Sequence, residues 1–246
     1  MCSVSWWIDA SGYQLFFNRD EQKSRAPALP PQTFILRGVK VLMPVDPVGQ
    51  GSWISVNEHG LSLCLLNHYQ GKKPAGELIS RGQLVKYLSS AKTIAEVAQR
   101  FSELKLGVFA PFTLLVFELG HSTARELQWN GESFCVVAAF SPYFSSAVAL
   151  EDVVTYRQSV YDALPNIDSH TLLAFHAQHH PEQSHMSVCM HRDDAQTVSF
   201  TGVRVSEQHR QMSYVAGSPC THLTAATLAL KTSYLEKTES HPGLFV

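Results

Sequence analysis

The sequence predicts an α+β fold. The order of its predicted elements suggests two antiparallel sheets between helical layers, although the pattern alone supports no more than the α+β class. Segments rich in β-branched and aromatic residues come first, two helical segments follow, and more strands, another helix and closing strands complete the chain. Runs of strands and helices that do not alternate strictly are typical of this class. With 246 residues, of which 45% are hydrophobic, the chain can bury a large core and is short enough to form one domain over residues 1–246.

The first predicted element is an N-terminal hairpin. Residues 2–9 are rich in β-branched and aromatic side chains, so they predict a strand that ends at the turn-forming run Asp-Ala-Ser-Gly. Residues 13–17 predict the returning strand. In an antiparallel hairpin the residue numbers of two paired positions add up to a constant. For a turn at this place the constant is about 21, which puts Cys2 opposite Arg19. We therefore expect the first thiol of the chain to meet Arg19 and the adjacent Asp20.

Cys2 is a candidate nucleophile. Its side chain is small, the condition under which methionine aminopeptidases remove an initiator, so Met1 is expected to be absent from the mature chain. The thiol would then lie beside the α-amine of the same residue, which titrates near neutral pH and can act as a base. We expect Arg19 to favour the thiolate, Asp20 to orient the ammonium form of the amine, and the two to form an ion pair. The alternative interpretation is an ordinary chain start and an ordinary charged turn.

After a proline-containing loop at 23–31, the next predicted elements are a strand at 39–43 and a hairpin of strands 53–56 and 61–66. The hairpin turns through Asn-Glu-His-Gly, whose glycine suits a position with positive φ, and it ends at Asn67. An asparagine at the end of a buried strand can point its NH2 group into a pocket and stabilise a tetrahedral oxyanion. The commoner use of the residue is to satisfy its own backbone, and both interpretations stay open.

Two helices are predicted from their start signals. Ser80 with Gln83 and Thr93 with Glu96 fit the capping box, in which side chains and backbone exchange hydrogen bonds across the first turn. The remaining predicted elements are strands at 112–119, 126–129 and 133–140, a helix at about 150–164, a hairpin of strands 186–191 and 196–201, a strand at 211–216, and a segment at 223–230 that fits either type.

Composition argues against several classes of function. A net charge of −2 and a charged fraction of 16% are not typical of a nucleic-acid-binding surface. No apolar run is long enough for a membrane helix, and no charged segment precedes a hydrophobic one at the N-terminus. We expect a cytoplasmic protein with no membrane span and no nucleic-acid partner.

The cysteines and histidines predict neither a disulfide framework nor a metal site. The five cysteines are irregularly spaced and form no Cys-x-x-Cys pair, and Cys64, Cys135, Cys189 and Cys220 are expected to be small core residues in strands. The histidines of the second half match no zinc pattern; they include His176, His179, His180, His185 and His191. No metal and no cofactor are expected.

The start of the chain resembles the NRDE family, also called the Transport and Golgi organisation 2 family, which is named for the tetrad found here at Asn18–Glu21. Four later segments are similar to family segments in the same order: 51–56 (Gly-Ser-Trp-Ile-Ser-Val), 65–67 (Leu-Leu-Asn), 80–85 (Ser-Arg-Gly-Gln-Leu-Val) and 112–116 (Phe-Thr-Leu-Leu-Val). The resemblance covers about the first half of the chain. The family is in turn similar in layout to the N-terminal nucleophile hydrolases, especially the cysteine members that cleave penicillin V and conjugated bile salts.

The resemblance implies a four-layer αββα sandwich and a set of site residues. The catalytic residues that it implies are Cys2, Arg19, Asp20 and Asn67. In the bile salt hydrolases, the asparagine that follows a similar hairpin holds the oxyanion, which is the role expected of Asn67. Asn18 and Arg192 are expected near the substrate pocket, Arg192 because it lies near the place of a Thr-Arg-Ser segment in the family.

Two features depart from the related patterns. The penicillin V and bile salt hydrolases separate the arginine and the aspartate by two residues, whereas Arg19 and Asp20 are adjacent in this sequence. Many family members also have a Ser-Asn pair in the middle of the chain. The comparable residues 140–146 contain no asparagine, so a second side-chain oxyanion donor is not expected there.

Two functions follow from the resemblance. The first is a cysteine amidohydrolase that cleaves a non-peptide C–N amide bond in a small amide or acyl compound. The second is a non-catalytic protein that binds and moves haem or a lipid or acyl compound, although the sequence has no Cys-Pro or Cys-x-x-Cys-His haem signature.

Overall fold

The computed structural model describes residues 2–236. Within this range the strands are β1 Cys2–Asp9, β2 Gly12–Gln22, β3 Leu29–Leu36, β4 Val39–Val45, β5 Ile54–Asn57, β6 Leu61–Asn67, β7 Phe112–Glu118, β8 Ala124–Trp129, β9 Phe134–Ala139, β10 Tyr143–Ser145, β11 Ala195–Ser206, β12 Arg210–Ala216 and β13 Thr232–Tyr234. The helices are α1 Gly82–Leu88, α2 Ile94–Ser102, α3 Leu150–Asp162, α4 Ser169–Ala177, α5 Pro219–His222 and α6 Ala225–Leu230. No helix in this part of the chain is long and apolar enough to cross a membrane.

The strands form two antiparallel sheets. The first sheet has the order β10-β1-β2-β11-β12-β13, so the N-terminal hairpin lies between strands from later parts of the chain. The second sheet keeps chain order from β3 to β9. Long-range pairing therefore concentrates in the first sheet, which carries Cys2.

The two sheets pack face to face on a shared core. Trp6 of β1 and Ile54 of β5 are buried in the same cluster of side chains, one from each sheet. On the outer face of the second sheet, α1 and α2 pack through a cluster that contains Leu84. On the outer face of the first sheet, Leu172 of α4 packs in the same cluster as Phe16 of β2. The resulting order of layers confirms the predicted four-layer αββα sandwich.

The N-terminal hairpin has the predicted register, with Cys2 paired opposite Arg19. In the turn, the carboxylate of Asp9 accepts a hydrogen bond of 2.7 Å from the backbone N–H two residues later. Gly12 has a φ of +141°, and a Cβ atom at this position would lie 2.0 Å from the carbonyl oxygen of Val205 in β11. Glycine is thus required both by the turn and by the neighbouring strand.

The predicted loop at 23–31 extends too far, because β3 begins at Leu29. Pro30 and Pro31 cannot donate backbone hydrogen bonds, which made a strand at this place unexpected. They are tolerated because β3 is the edge of its sheet and because its register with β4 shifts between Leu29 and Gln32.

The predicted strand at 186–191 is also wrong. This segment pairs with the start of β11 only through an isolated bridge between His191 and Gln196. Its backbone folds back on the preceding turn instead, since the N–H of Cys189 donates to the carbonyl of Gln178. The ambiguous segment at 223–230 contains the helix α6.

The two predicted helix starts differ in outcome. Thr93 caps α2 by accepting a 3.1 Å hydrogen bond from the backbone N–H of Glu96. The predicted capping box is only half formed, because the Glu96 carboxylate accepts from the backbone N–H of Lys92 and not from that of Thr93. The first helix lacks its predicted cap: Arg81 is the N-cap of α1, no side chain caps it, and Gln83 donates to the carbonyl of Gly49. A contact with a neighbouring loop has therefore replaced the local cap.

The prediction that four cysteines are core residues in strands holds for Cys64 alone. Cys64 is fully buried in β6. Cys135 is exposed on β9, Cys189 is buried outside the strands, and Cys220 is exposed in α5.

Candidate active site

A cavity of about 850 Å³ opens where β1 begins and where β2 and β6 end. Cys2, Arg19, Asp20 and Asn67 all line it, so the fold brings the four residues that the resemblance implied as catalytic to one place. The remaining lining includes several charged side chains that the sequence did not single out, among them Glu21, Arg25, Asp46, Lys73 and Arg81.

Cys2 lies between two strands, with Arg19 opposite on β2 and Ser145 opposite on β10. Burial raises the pKa of the Cys2 thiol, while the positive charge of the chain terminus and, more weakly, that of Arg19 lower it. The effect of burial is the largest, so the net shift favours the neutral thiol. Arg19 therefore acts in the predicted direction but does not produce a resting thiolate by itself.

The predicted ion pair between Arg19 and Asp20 is not formed. The guanidinium of Arg19 lies 4.4 Å from the ring centroid of Trp53, bonds to Glu21 at 3.1 Å and lies 4.0 Å from Asp46. Successive residues of a strand point to opposite faces, so adjacent residues on β2 cannot pair with each other. Arg19 shares the inter-sheet face with Cys2, and Asp20 points the other way.

Asp20 pairs with an arginine from the helical layer. Arg157 of α3 is completely buried and places its Nη2 3.6 Å from Oδ2 of Asp20. The other carboxylate oxygen accepts a 2.6 Å hydrogen bond from the hydroxyl of Thr197 on β11. Arg157 also donates to the hydroxyl of Ser3 at 2.6 Å and to the carbonyl of Met186 at 3.0 Å. This network anchors the residue next to Cys2 to α3.

A second ion pair forms part of the cavity wall. Arg25 donates to both carboxylate oxygens of Asp46, at 3.2 and 2.5 Å. Burial alone would raise the pKa of Asp46, but the hydrogen bond from Arg25 and the charges of Arg25 and Arg19 hold that pKa below its usual value. Asp46 is thus a carboxylate that fixes the position of both arginines.

Asn67 is the last residue of β6, and its side chain reaches the cavity. Its NH2 group donates to the hydroxyl of Tyr69 at 2.9 Å. An amide NH2 has two hydrogens, so the second hydrogen can serve a ligand in the cavity. The geometry is compatible with the predicted role as an oxyanion donor.

The segments 51–56 and 80–85 meet beside the cavity. A Cβ atom on Gly51 would lie 2.3 Å from the carbonyl carbon of Gly82, and the N–H of Ser52 donates to the carbonyl of Gly82 at 3.1 Å. Only glycine permits so close a backbone approach. This contact brings Trp53 and Arg81 to the same cavity, where Arg81 donates to the carbonyl of Pro111 at 2.9 Å.

The two residues expected near the substrate pocket lie elsewhere. Asn18 is fully buried on the face of β2 that meets α4, and its amide donates to the carbonyls of His176 and Val188 at 2.8 and 3.0 Å. Arg192 is not part of the cavity lining and forms an exposed pair with Asp194 at 2.6 Å. Asn18 therefore ties β2 to the helical layer, whereas Arg192 makes only a local pair at the surface.

Sequence reasoning missed Arg157, Arg25, Asp46 and Arg81. One signal for Arg157 was present: it follows Val153 by four residues and precedes Val160 by three, so an arginine falls on the apolar face of α3. Such a placement indicates a buried partner of opposite charge. Arg25 and Asp46 carry no comparable local signal, because their contact depends on how two loops meet.

Similarity to solved structures first identifies the fold. The chain has the N-terminal nucleophile hydrolase fold, since its structure is similar to that of penicillin V acylase from Agrobacterium tumefaciens, with a TM-score of 0.56, 10% identity and coverage of 87% of this chain and 83% of that one. It is also similar to an N-acylethanolamine-hydrolyzing acid amidase ortholog from Caenorhabditis elegans (TM-score 0.53, 12% identity, coverage 96% and 100%). A variant of conjugated bile acid hydrolase from Clostridium perfringens is a third similar structure (TM-score 0.51, 11% identity, coverage 97% and 97%). At these identities the likeness establishes the fold alone.

The family follows from the sequence. The family model for Transport and Golgi organisation 2 matches residues 1–153, and the chain belongs to this family. The predicted membership is thereby confirmed over somewhat more than the first half of the chain. No curated protein matches the sequence.

Proposed function

We propose that this protein is a cysteine amidohydrolase that cleaves a non-peptide C–N amide bond of a small molecule, with Cys2 as N-terminal nucleophile after removal of Met1. The observation that carries the proposal is that the Cys2 thiol lines the same cavity as Arg19 and Asn67. The similar structures include proteins named as an acylase, an acid amidase and a bile acid hydrolase, which fits a reaction of this class.

The first step requires a base, because burial raises the pKa of the Cys2 thiol and so favours its protonated form. Removal of Met1 supplies one in the α-amine of Cys2 itself, which has a reference pKa of about 7.7–8.0 and is partly neutral at physiological pH. The amine accepts the thiol proton while the sulfur attacks the amide carbonyl. The burial that disfavours a resting thiolate therefore fits a mechanism in which proton transfer accompanies attack.

The tetrahedral intermediate then needs hydrogen-bond donors for its oxyanion. The second N–H of the Asn67 side chain is the candidate donor from the second sheet. When the C–N bond breaks, the ammonium of Cys2 gives its proton to the leaving nitrogen, and a thioester remains. Water, deprotonated by the same amine, attacks the thioester, releases the acid and restores the thiol.

Arg19 positions the nucleophile in this proposal. It is held by Trp53, Glu21 and Asp46, and its charge lowers the pKa of Cys2 against the effect of burial. Asp20 lies on the opposite face of β2 and acts through Arg157 and Ser3 on the backbone beside Cys2. We further propose that residues 1–246 form one domain, because the two sheets share a core.

The test is turnover of a panel of N-acyl amides and thioesters by the full chain, with removal of Met1 checked by intact mass. Wild type should hydrolyse at least one compound, and Cys2→Ala should abolish turnover with little change in fold, since a thiol is small and no other nucleophile replaces it. Asn67→Ala should lower kcat by about 10² to 10³, the usual cost of one oxyanion donor. Cys135→Ala is the matched control, because it removes an exposed thiol on β9 outside the cavity.

Retention of Met1 or turnover by Cys2→Ala would refute the proposal. The alternative from the resemblance, a carrier of haem or of a lipid or acyl compound, stays a prediction. It would be favoured if no compound were turned over and if haem binding, followed by absorbance, were lost in Cys2→Ala.

A further inference from the structure

Three side chains that the amidohydrolase proposal does not use lie together at the start of β11. Nε2 of His191 lies 3.7 Å from Sγ of Cys189 and 3.3 Å from Sγ of Cys220. The three donor atoms all lie within 4.8 Å of one another, and none of these residues lines the cavity that contains Cys2.

These distances match a metal coordination sphere. Zn–S and Zn–N bonds of about 2.3 and 2.0–2.1 Å at a tetrahedral angle place sulfur and nitrogen about 3.5 Å apart. The two observed sulfur–nitrogen distances fall on either side of this value. A set of two sulfurs and one imidazole suits thiophilic ions such as Zn²⁺ and Cu⁺ better than Mg²⁺ or Ca²⁺, which prefer oxygen ligands.

Hydrogen bonds hold the two segments that carry the three residues in place. Cys189 is fixed by its hydrogen bond to the carbonyl of Gln178, and the segment after it is tied to Thr197 by bonds between Met190 and Thr197 in both directions. The helix α5, which carries Cys220, is tied to the same residue, because the hydroxyl of Ser218 donates to the carbonyl of Thr197 at 2.9 Å. Thr197 of β11 thus aligns the segment that carries Cys189 and His191 with the helix that carries Cys220.

The surroundings also suit bound thiolates. The backbone N–H of Cys220 donates to Sγ of Cys189 at 3.4 Å, a contact that partly neutralises a negatively charged sulfur. The ring of His179 lies 4.5 Å from that of His191, and Nδ1 of His179 bonds to the carbonyl of Cys189 at 3.0 Å, which fixes the His179 ring beside the cluster. Cys189 is buried and Cys220 is exposed, so an ion can reach the site from solvent.

We propose that Cys189, His191 and Cys220 bind one Zn²⁺ ion, with the fourth position open to water or an external ligand. Binding replaces the two thiol protons by the metal and releases both to solvent. A disulfide between the two cysteines is the competing use of the same thiols. The geometry favours the metal, because a disulfide gives no role to the imidazole that lies against both sulfurs.

The experiment is a zinc titration of the untagged full chain, reduced and stripped of metal, in competition with a chromophoric chelator. Wild type should bind one equivalent of Zn²⁺. Cys220→Ala should weaken binding by more than about 100-fold, because loss of an outer-shell partner alone costs 10–100-fold. Cys220 is exposed, so this variant should keep the circular dichroism spectrum of wild type. Cys135→Ala and Cys2→Ala, which remove thiols outside the cluster, should bind as wild type does.

Substitution with Co²⁺ gives a second measurement. Wild type should show thiolate-to-metal charge-transfer absorption, which Cys220→Ala should reduce and His191→Ala should shift. Equal zinc affinity in Cys220→Ala and wild type would overturn the proposal. The proposal would also be overturned if the purified protein contained a Cys189–Cys220 disulfide and the chain did not bind zinc after that disulfide was reduced.

Discussion

Replacing Arg157 by methionine should destabilise the protein more than the same change at the exposed Arg192. Arg157 is completely buried, and Arg157→Met keeps most of the side-chain volume while leaving Asp20, which is 5% exposed, without its cation. Breaking a buried pair from one side costs about 3–5 kcal/mol, since the remaining charge is buried and unpaired. The hydroxyl of Thr197 still bonds to Asp20, while the bonds from Arg157 to Ser3 and Met186 are lost. We therefore expect a loss of about 4 kcal/mol in the free energy of unfolding.

The matched control is Arg192→Met. Arg192 and Asp194 are closer to each other, at 2.6 Å against 3.6 Å for the buried pair, but their side chains are 24% and 60% exposed. Exposed pairs contribute about 0–1 kcal/mol. The two variants thus separate the effect of burial from the effect of distance.

Urea denaturation followed by tryptophan fluorescence measures both changes. With an m value of about 3 kcal/mol/M, Arg157→Met should lower the midpoint by about 1.3 M and Arg192→Met by less than about 0.3 M. Adding Asp20→Asn to Arg157→Met should recover at least about 1 kcal/mol, because it removes the stranded charge. A cost below about 1 kcal/mol for Arg157→Met, or an equal cost for the control, would refute the reasoning.

Two further predictions concern titrating groups. Arg19→Ala should slow alkylation of Cys2 at pH 7, because the charge of Arg19 lowers the pKa of that thiol. Arg25→Ala is the control, and equal alkylation rates in the two variants would show that Arg19 does not act on Cys2. Burial and the charge of Arg157 lower the pKa of His176 to about 3, whereas the same histidine in the unfolded chain has a pKa of about 6.5. The unfolded chain therefore binds the proton more tightly, and the free energy of unfolding falls as the pH drops from 6.5 towards 3. His176→Phe should remove up to about 3 kcal/mol of the stability difference between pH 7 and about pH 4.5, and an unchanged pH dependence of unfolding would show that His176 does not titrate in this way.

Local rules were sufficient for the N-terminal hairpin and the catalytic candidates near it. Cys2 and Arg19 meet because turn position alone sets the register of a hairpin. The same rules already contradicted the expected pair of Arg19 and Asp20, since adjacent residues of a strand face opposite ways. The position of Asn67 at the end of β6 was also readable, because the run Leu63–Leu66 before it is apolar and the glycine turn fixes where the strand begins.

The tertiary structure decided which charges and thiols meet. Asp20 pairs with Arg157 only because α3 packs on the outer face of the first sheet. Asp46 pairs with Arg25 only because two loops meet at the same cavity. Cys189 and Cys220 looked like core residues in strands, yet Thr197 aligns their two segments beside one strand. The physical reason is that a strand or a turn is set by neighbours a few residues apart. The partner of a buried charge or thiol is set by which faces of distant elements pack together, and local periodicity carries no information about that choice.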